Sequence, residues 1–312
     1  MKAMLGTHTV WTLIFARAVM SILILAPIVY FKGPPNRLIT PLWPWHLTRA
    51  VLFTLGFTLF YSAFPFMGLA EVVAIFFAAP LITAIVAALW LKETIGPHRM
   101  AALMIGFVGV VVAMNPTSDT FQWVAIFPLI CAATYAISQV MVRKIGDRET
   151  TLTIGLYTIA MSGALILPLG WGLNQIFEFG TEFQHLRWDW PGFDATTLLP
   201  LALLGTIGMI AYLLVSRAYQ ITSASLIAPF DYTYVPIAAL MAYFLWDEVP
   251  NWSTLAGMAL IVASGLYIGY REIRASNLHK EDPIVAESTF APGNPMAPLS
   301  LGAESNEGQR DV

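Results

Sequence analysis

The chain has 312 residues, of which 57% are apolar and 11% charged, with a net charge of −3. A soluble domain carries roughly a quarter charged residues, so this composition excludes an ordinary water-soluble fold. No basic block is present, which argues against a nucleic-acid partner. The single cysteine, Cys131, leaves no disulfide framework and no Cys/His metal spacing.

Nine apolar segments follow one another, each near the length that crosses about 30 Å of hydrocarbon. They are expected at 9–31, 47–67, 69–91, 99–114, 121–142, 151–171, 198–220, 223–246 and 253–270. In lipid every backbone polar group must be satisfied within the segment, so continuous runs of this kind are helices. The fourth is short, which calls for a small tilt or local thinning of the bilayer. The segment 172–197 is a long loop, where Trp188 and Trp190 are expected as interfacial anchors ahead of a lid. From residue 276 the chain turns polar and proline-rich and is expected to be a disordered cytoplasmic tail.

Lysine and arginine sort by loop. Lys32, Arg37, Arg49, Lys92, Arg99, Arg143, Lys144 and Arg148 follow the first, third and fifth segments, and Arg271, Arg274 and Lys280 follow the ninth. The other face has Lys2 and Arg187. The positive-inside rule then puts the C-terminus in the cytoplasm of a bacterial-type inner (plasma) membrane and the start of the chain outside. An exported start without a cleavable signal is awkward. One more helix before Met1 would give ten spans with both ends inside, and a nine-span protein is the alternative.

A shift of 155 residues, the separation of Glu93 and Glu248, lays Ala63, Ile82, Ala84 and Ala87 over Ala218, Ile237, Ala239 and Ala242. Each copy ends in an acid at a helix exit, then a loop with a proline (Pro97, Pro250), then a glycine-containing helix. A five-helix half points the opposite way in its second copy, because five is odd. Such inverted repeats are typical of secondary transporters, with the solute site between the halves.

These stretches resemble the drug/metabolite transporter superfamily, in particular its EamA-type carriers. The similar residues are Glu71 to Pro80 leading into Leu91-Lys92-Glu93, the helix from Arg99 through Gly106 and Gly109, the run Ala218 to Tyr232 with Pro229 and Asp231, and Glu248-Val249-Pro250 followed by Thr254 to Gly257. The resemblance covers the membrane region and not the tail, and departs from the family at its absent first helix. It implies an all-α membrane protein of two inverted five-helix repeats, the first over 1–115, the second over 116–275, with a tail at 276–312. It also implies alternating access and transport of small organic metabolites. A subgroup that imports S-adenosylmethionine is similar in its first half, and amino-acid carriers belong to the same superfamily.

Few polar side chains remain as site candidates. Asp231 lies inside the eighth segment, where an ionised carboxylate costs several kcal/mol. It stands either for proton coupling or a cationic solute group, or for a structural ion pair. Its repeat mate is Phe76, so it is not a symmetric packing feature. Tyr232 and Tyr234 flank it and are cavity-lining or packing residues. Arg17 sits a third of the way along the first segment and cannot lose its charge. It either meets an anionic solute group or Asp231, or snorkels to the headgroups. Arg217 stands near a helix end, where snorkelling or a dipole contact explains it. Gln139 is expected to bond between helices. Glu93 and Glu248 are paired at helix exits, as structural or gating residues. Pro80 and Pro236 are expected mid-helix, as kinks or as sites where a freed carbonyl lines the cavity. Gly106-x-x-Gly109 and Gly205-x-x-Gly208 are small faces for close packing.

No phosphate-binding Gly-x-x-x-x-Gly-Lys-Ser/Thr loop, no His-Glu-x-x-His and no Gly-x-Ser-x-Gly occurs. Neither an ATP-driven pump nor an enzyme is expected, and no cofactor or metal. The expected partners are a small-molecule solute, the lipid bilayer and protons. A channel or a membrane scaffold is the alternative of another class. A channel would need rings of charge or a carbonyl filter.

Overall fold

The computed structural model describes residues 2–5, 7–92, 96–115, 123–190, 195–221 and 234–278. A compact unit runs over Met1–Gly269, and Tyr270–Val312 is a second unit whose described part is the end of the last helix. The described residues form ten α-helices: α1 (Val10–Lys32), α2 (Trp43–Ser62), α3 (Leu69–Phe76), α4 (Ala79–Leu91), α5 (Pro97–Met114), α6 (Ile126–Ile145), α7 (Thr151–Ile176), α8 (Ala195–Ile221), α9 (Tyr234–Trp246) and α10 (Trp252–Leu278). The architecture is that of an all-helical membrane protein. Six stretches are long and apolar enough to cross a bilayer, one of them α3 and α4 together, and α5 and α9 hold shorter apolar runs.

Local chemistry explains where the helices start and stop. Thr9 and Thr150 cap α1 and α7, each side chain accepting from the backbone N–H three residues on, which satisfies a donor the helix cannot. Gly33, at φ 60°, ends α1 in a backbone region that favours glycine. Pro44 and Pro97 stand in the first turns of α2 and α5, where a missing N–H costs nothing.

The third apolar segment differs from expectation. It is two helices, broken at Phe77 and Ala78, with Pro80 in the first turn of α4. Pro80 is therefore a helix starter and not a mid-helix kink. At the break Ala78 N–H donates to Ile75 C=O at 3.0 Å, a tightened turn. Pro236 likewise falls in the first turn of the described helix α9. The 155-residue shift carries Ala79–Leu91 onto Tyr234–Trp246, and the start of α5 at Pro97 onto the start of α10 at Trp252.

Helix α1 packs on α7 and α8, and α2 packs on α6 and α7. Helix α3 packs on α9, α6 and α5, and α4 on α6. Glycines set the closest approaches. A Cβ at Gly205 would lie 2.8 Å from Met20 Cβ and 3.1 Å from the Arg17 carbonyl, so α8 and α1 touch backbone to backbone there. A Cβ at Gly109 would lie 2.9 Å from the carbonyl oxygen of Gly257, which brings α5 against α10, and the Ser264 hydroxyl of α10 donates to Ala102 C=O of α5. Both small-residue faces are packing faces, as lipid-embedded helices require when they cannot rely on the hydrophobic effect.

Replacing Gly109 by leucine forces these two helices apart. The expected result is a fall of about 1–3 kcal/mol in stability, read as a lower unfolding midpoint in detergent. An unchanged midpoint would contradict the close approach.

Candidate functional site

The site is built where α1, α2, α7 and α8 converge. Arg17 lies about 10 Å along α1 at 1.5 Å per residue, and its side chain turns inward. Nη1 donates to the Tyr61 hydroxyl of α2 at 2.8 Å. The guanidinium carbon stands over the rings of Phe53, Phe57 and Tyr61, at 6.0, 5.9 and 6.0 Å from their centroids. These cation–π contacts are strengthened by the loss of water around them. Arg17, Ser21, Phe53, Ser162, Gly208 and Tyr212 line one cavity with apolar neighbours from the same helices. Gly208 leaves room for the Arg17 stem: a Cβ there would stand 3.8 Å from Arg17 Cδ. The cavity holds about 20 Å³, room for a water molecule and far short of a metabolite.

A second arginine lies near the opposite end of α2. Arg49 belongs, by its sequence position, with the loop charges, yet it is fully buried inside the helix. Its Nε donates to Ser138 C=O of α6 at 3.3 Å and its Nη2 to the Tyr212 hydroxyl of α8 at 2.6 Å. Among the described residues its Nη1 has no hydrogen-bond partner. One turn away, His46 is buried and stacks on Tyr157 at 4.8 Å. Among the described residues no carboxylate pairs with Arg17 or Arg49, and the recorded ion pair, Lys2 with Glu248, is elsewhere.

The other expected site residues separate into groups. Tyr234 is the first described residue of α9, is half-exposed, stacks on Phe77 at 5.9 Å and interacts electrostatically with Tyr61, the partner of Arg17. Gln139 is buried in α6 with its Oε1 unpartnered. Arg217 is exposed on α8, with Nη1 3.5 Å from Gln220 Oε1. Gln220, which the sequence reading passed over, ties α8 to the α6–α7 turn: its Nε2 donates to Glu149 C=O at 2.7 Å, and Arg143 donates to its own C=O at 2.8 Å. Asp231, Tyr232 and Glu93 lie outside the described residues.

Glu248 closes the opposite end of the bundle. Its Oε2 accepts from the backbone N–H of Leu69, the first residue of α3, at 2.7 Å, and its Oε1 pairs with Lys2. A carboxylate at a helix N-terminus meets both unsatisfied donors and a favourable dipole. The same end is covered by the loop after α7. Trp11 Nε1 donates to Leu186 C=O at 2.8 Å, and Asn174 Nδ2 donates to the same oxygen at 3.0 Å. Trp188 packs over Gly170 and contacts Trp190 at 5.3 Å, and Trp190 sits edge-on to Phe15 at 5.5 Å. These tryptophans pack inward on the protein, beyond the interfacial anchoring expected of them.

The sequence reading missed Arg49, Phe53, Phe57, Tyr61 and Tyr212. A signal was present: Arg49, Phe53, Phe57 and Tyr61 recur every four residues, one face of a helix. Among the described residues no cluster of His, Cys, Asp or Glu could hold a metal ion.

The profile of the EamA-like transporter family matches residues 1–115 and 122–270. An S-adenosylmethionine uptake transporter of Rickettsia felis is 26% identical over 268 residues, 86% of this chain and 85% of the relative. A riboflavin transporter of Vibrio cholerae is 26% identical over 266 residues, 85% of this chain and 84% of the relative. A pseudopaline exporter of Pseudomonas aeruginosa is 25% identical over 222 residues, 71% and 73% of the two chains. A solved crystal structure superposes with a TM-score of 0.60 at 17% identity, covering 85% of this chain and 88% of the other, which shows a shared fold.

The loop over the tryptophans carries a pH dependence. Burial of His185 lowers its pKa below the ordinary 6.5, and a backbone hydrogen bond with Ser62 opposes this more weakly. The unfolded loop thus binds the proton more readily than the folded one. The contribution to stability is complete above the unfolded pKa and is lost as pH falls through the folded value. Hydrogen exchange in residues 181–190, corrected for intrinsic rates, is expected to quicken as pH drops below about 6.5, and His185→Gln to flatten that response. A wild-type loop protected equally across this range would contradict it.

Proposed function

We propose that this chain, which belongs to the EamA-like transporter family, carries a small metabolite with a carboxylate and a flat ring through a site centred on Arg17. That it is a multi-pass membrane transporter of small metabolites follows from the family and from relatives covering most of the chain. The carboxylate is argued from one observation: a permanently charged guanidinium faces the interior of a membrane bundle, and its described partners are a hydroxyl and three aromatic faces. Aromatic faces hold a flat ring, and an arginine fork holds a carboxylate with two parallel bonds. S-adenosylmethionine has both groups. Riboflavin has the ring and no carboxylate. The S-adenosylmethionine relatives therefore supply the favoured probe, and amino acids belong to the same chemical class.

The mechanism is alternating access by a secondary active carrier. The cavity lies among α1, α2, α7 and α8, two helices from each half, so rocking of the halves opens it to one side at a time. Glu248 on α3 at one end and Thr150, which donates to Asn36 Oδ1 at 2.9 Å, at the other are polar contacts between the halves that such a motion would make and break. Asp231 is proposed to couple the cycle to protons, as an intramembrane carboxylate that titrates as the solute passes. Localisation in the inner (plasma) membrane with a cytoplasmic C-terminus rests on the Lys/Arg asymmetry of the loops. The cycle includes no catalytic step.

The test is uptake of labelled S-adenosylmethionine and riboflavin into vesicles holding the protein. Saturable uptake of S-adenosylmethionine is expected. Arg17→Gln should lower it about 10- to 100-fold, the value of a charge-assisted hydrogen bond of roughly 1.5–3 kcal/mol. Uptake of riboflavin alone, insensitive to Arg17→Gln, would reject the carboxylate reading. Asp231→Asn should leave insertion intact and remove the pH dependence of uptake between pH 5 and pH 8. Wild-type pH dependence in that variant would reject proton coupling.

A further inference from the structure

We infer that Arg49, latched by Tyr212, is a second anion station, to which the solute's carboxylate passes after leaving Arg17. The inference deepens the carboxylate-carrier reading and rests on it.

Three observations carry it. First, Arg49 is fully buried, and among the described residues one guanidinium nitrogen is unpartnered and two are bonded to neutral oxygens, Ser138 C=O and Tyr212 OH. Arginine cannot shed its proton, and a buried charge without a counter-charge is strongly destabilising. A charge kept at such cost in a membrane bundle marks a solute or ion path. Second, the two arginines are joined by one helix face. Arg49, Phe53, Phe57 and Tyr61 stand four residues apart on α2, spanning about 18 Å at 1.5 Å per residue. Arg17 already lies over the upper three of these rings. A flat solute can slide along the same rings while its carboxylate changes arginines. Third, Tyr212 belongs to both places. Its ring meets Phe53 edge-on at 5.7 Å and lines the Arg17 cavity, and its hydroxyl accepts the Arg49 hydrogen bond. Movement of α8 against α2 therefore breaks the latch and frees a guanidinium edge for the arriving anion. Arg49 is placed opposite the end that Glu248 and the tryptophan loop cover, so one arginine serves each side of the cavity.

The test avoids the transported solute. In a Cys131→Ala background, Ser138→Cys places a thiol beside Arg49. Two membrane-impermeant methanethiosulfonates are applied to the protein in liposomes, one ending in sulfonate and one in trimethylammonium, with rates scaled to a free thiol. The sulfonate reagent is expected to react at least about tenfold faster, since a cleft of one charge concentrates the opposite ion. Arg49→Gln should abolish the preference, Arg49→Lys should retain it, and Tyr212→Phe should quicken the sulfonate reaction. Equal rates for both reagents, or no reaction with either, would overturn the inference. The comparison of reagents on Ser138→Cys alone decides the matter even where Arg49→Gln fails to fold. If the charge preference is found and neither metabolite is taken up, the choice of solute is wrong and the anion station stands.

Discussion

Two guanidinium groups inside a lipid-embedded bundle constrain this structure most. Neither can neutralise itself, and the described residues offer neither a carboxylate. The protein meets the demand with hydroxyls, a carbonyl and aromatic faces, which stabilise a cation without cancelling its charge. Full cancellation would leave nothing for an anion to bind. Partial satisfaction leaves an uncancelled positive charge beside the cavity that Arg17 lines.

The rest of the bundle serves that arrangement. Small residues let α8 reach α1 at Gly205 and leave space for the Arg17 stem at Gly208, so α1, α2, α7 and α8 converge on one cavity. Polar contacts hold the ends, Glu248 on the first turn of α3 and Gln220 on the α6–α7 turn. Apolar and glycine contacts fill the middle, where they can slide without leaving a polar group unsatisfied. The break between α3 and α4 fits the same plan. It separates α3, whose first residue is held by Glu248, from α4, which packs mainly on α6.

Reading order explains why some features were legible and others were not. Helices in lipid are long apolar runs, so their existence and order follow from composition; the expected segments fall on described helices, the third as two, and 223–233 of the eighth lie outside the described residues. The 155-residue repeat was visible as scattered identities and a shared acid–proline–glycine order. The break at Phe77 was not, because Pro80 in an apolar run fits a kink or a fresh start equally, and the tightened turn at Ala78 that decides it is a backbone event. Arg17 was legible because it stands alone in its segment. Arg49 was hidden by position: two residues inside an expected helix start at 47, beside a basic loop, it counted as a topology signal. Only the start of α2 at Trp43 and its packing on α6 and α7 place it deep in the protein.

The sequence by itself determined the solvent, the order of the apolar helices and the family resemblance, and it pointed to a duplication. Each of these depends on hydropathy or on spacing along the chain, both local properties. Tertiary structure decided which charges meet. Arg17 finds Tyr61 forty-four residues away and Arg49 finds Tyr212 at a separation of 163. Such pairings depend on helix rotation and on glycine-set distances between helices. A hydropathy pattern says which residues lie in the membrane, and it leaves open which of them face one another.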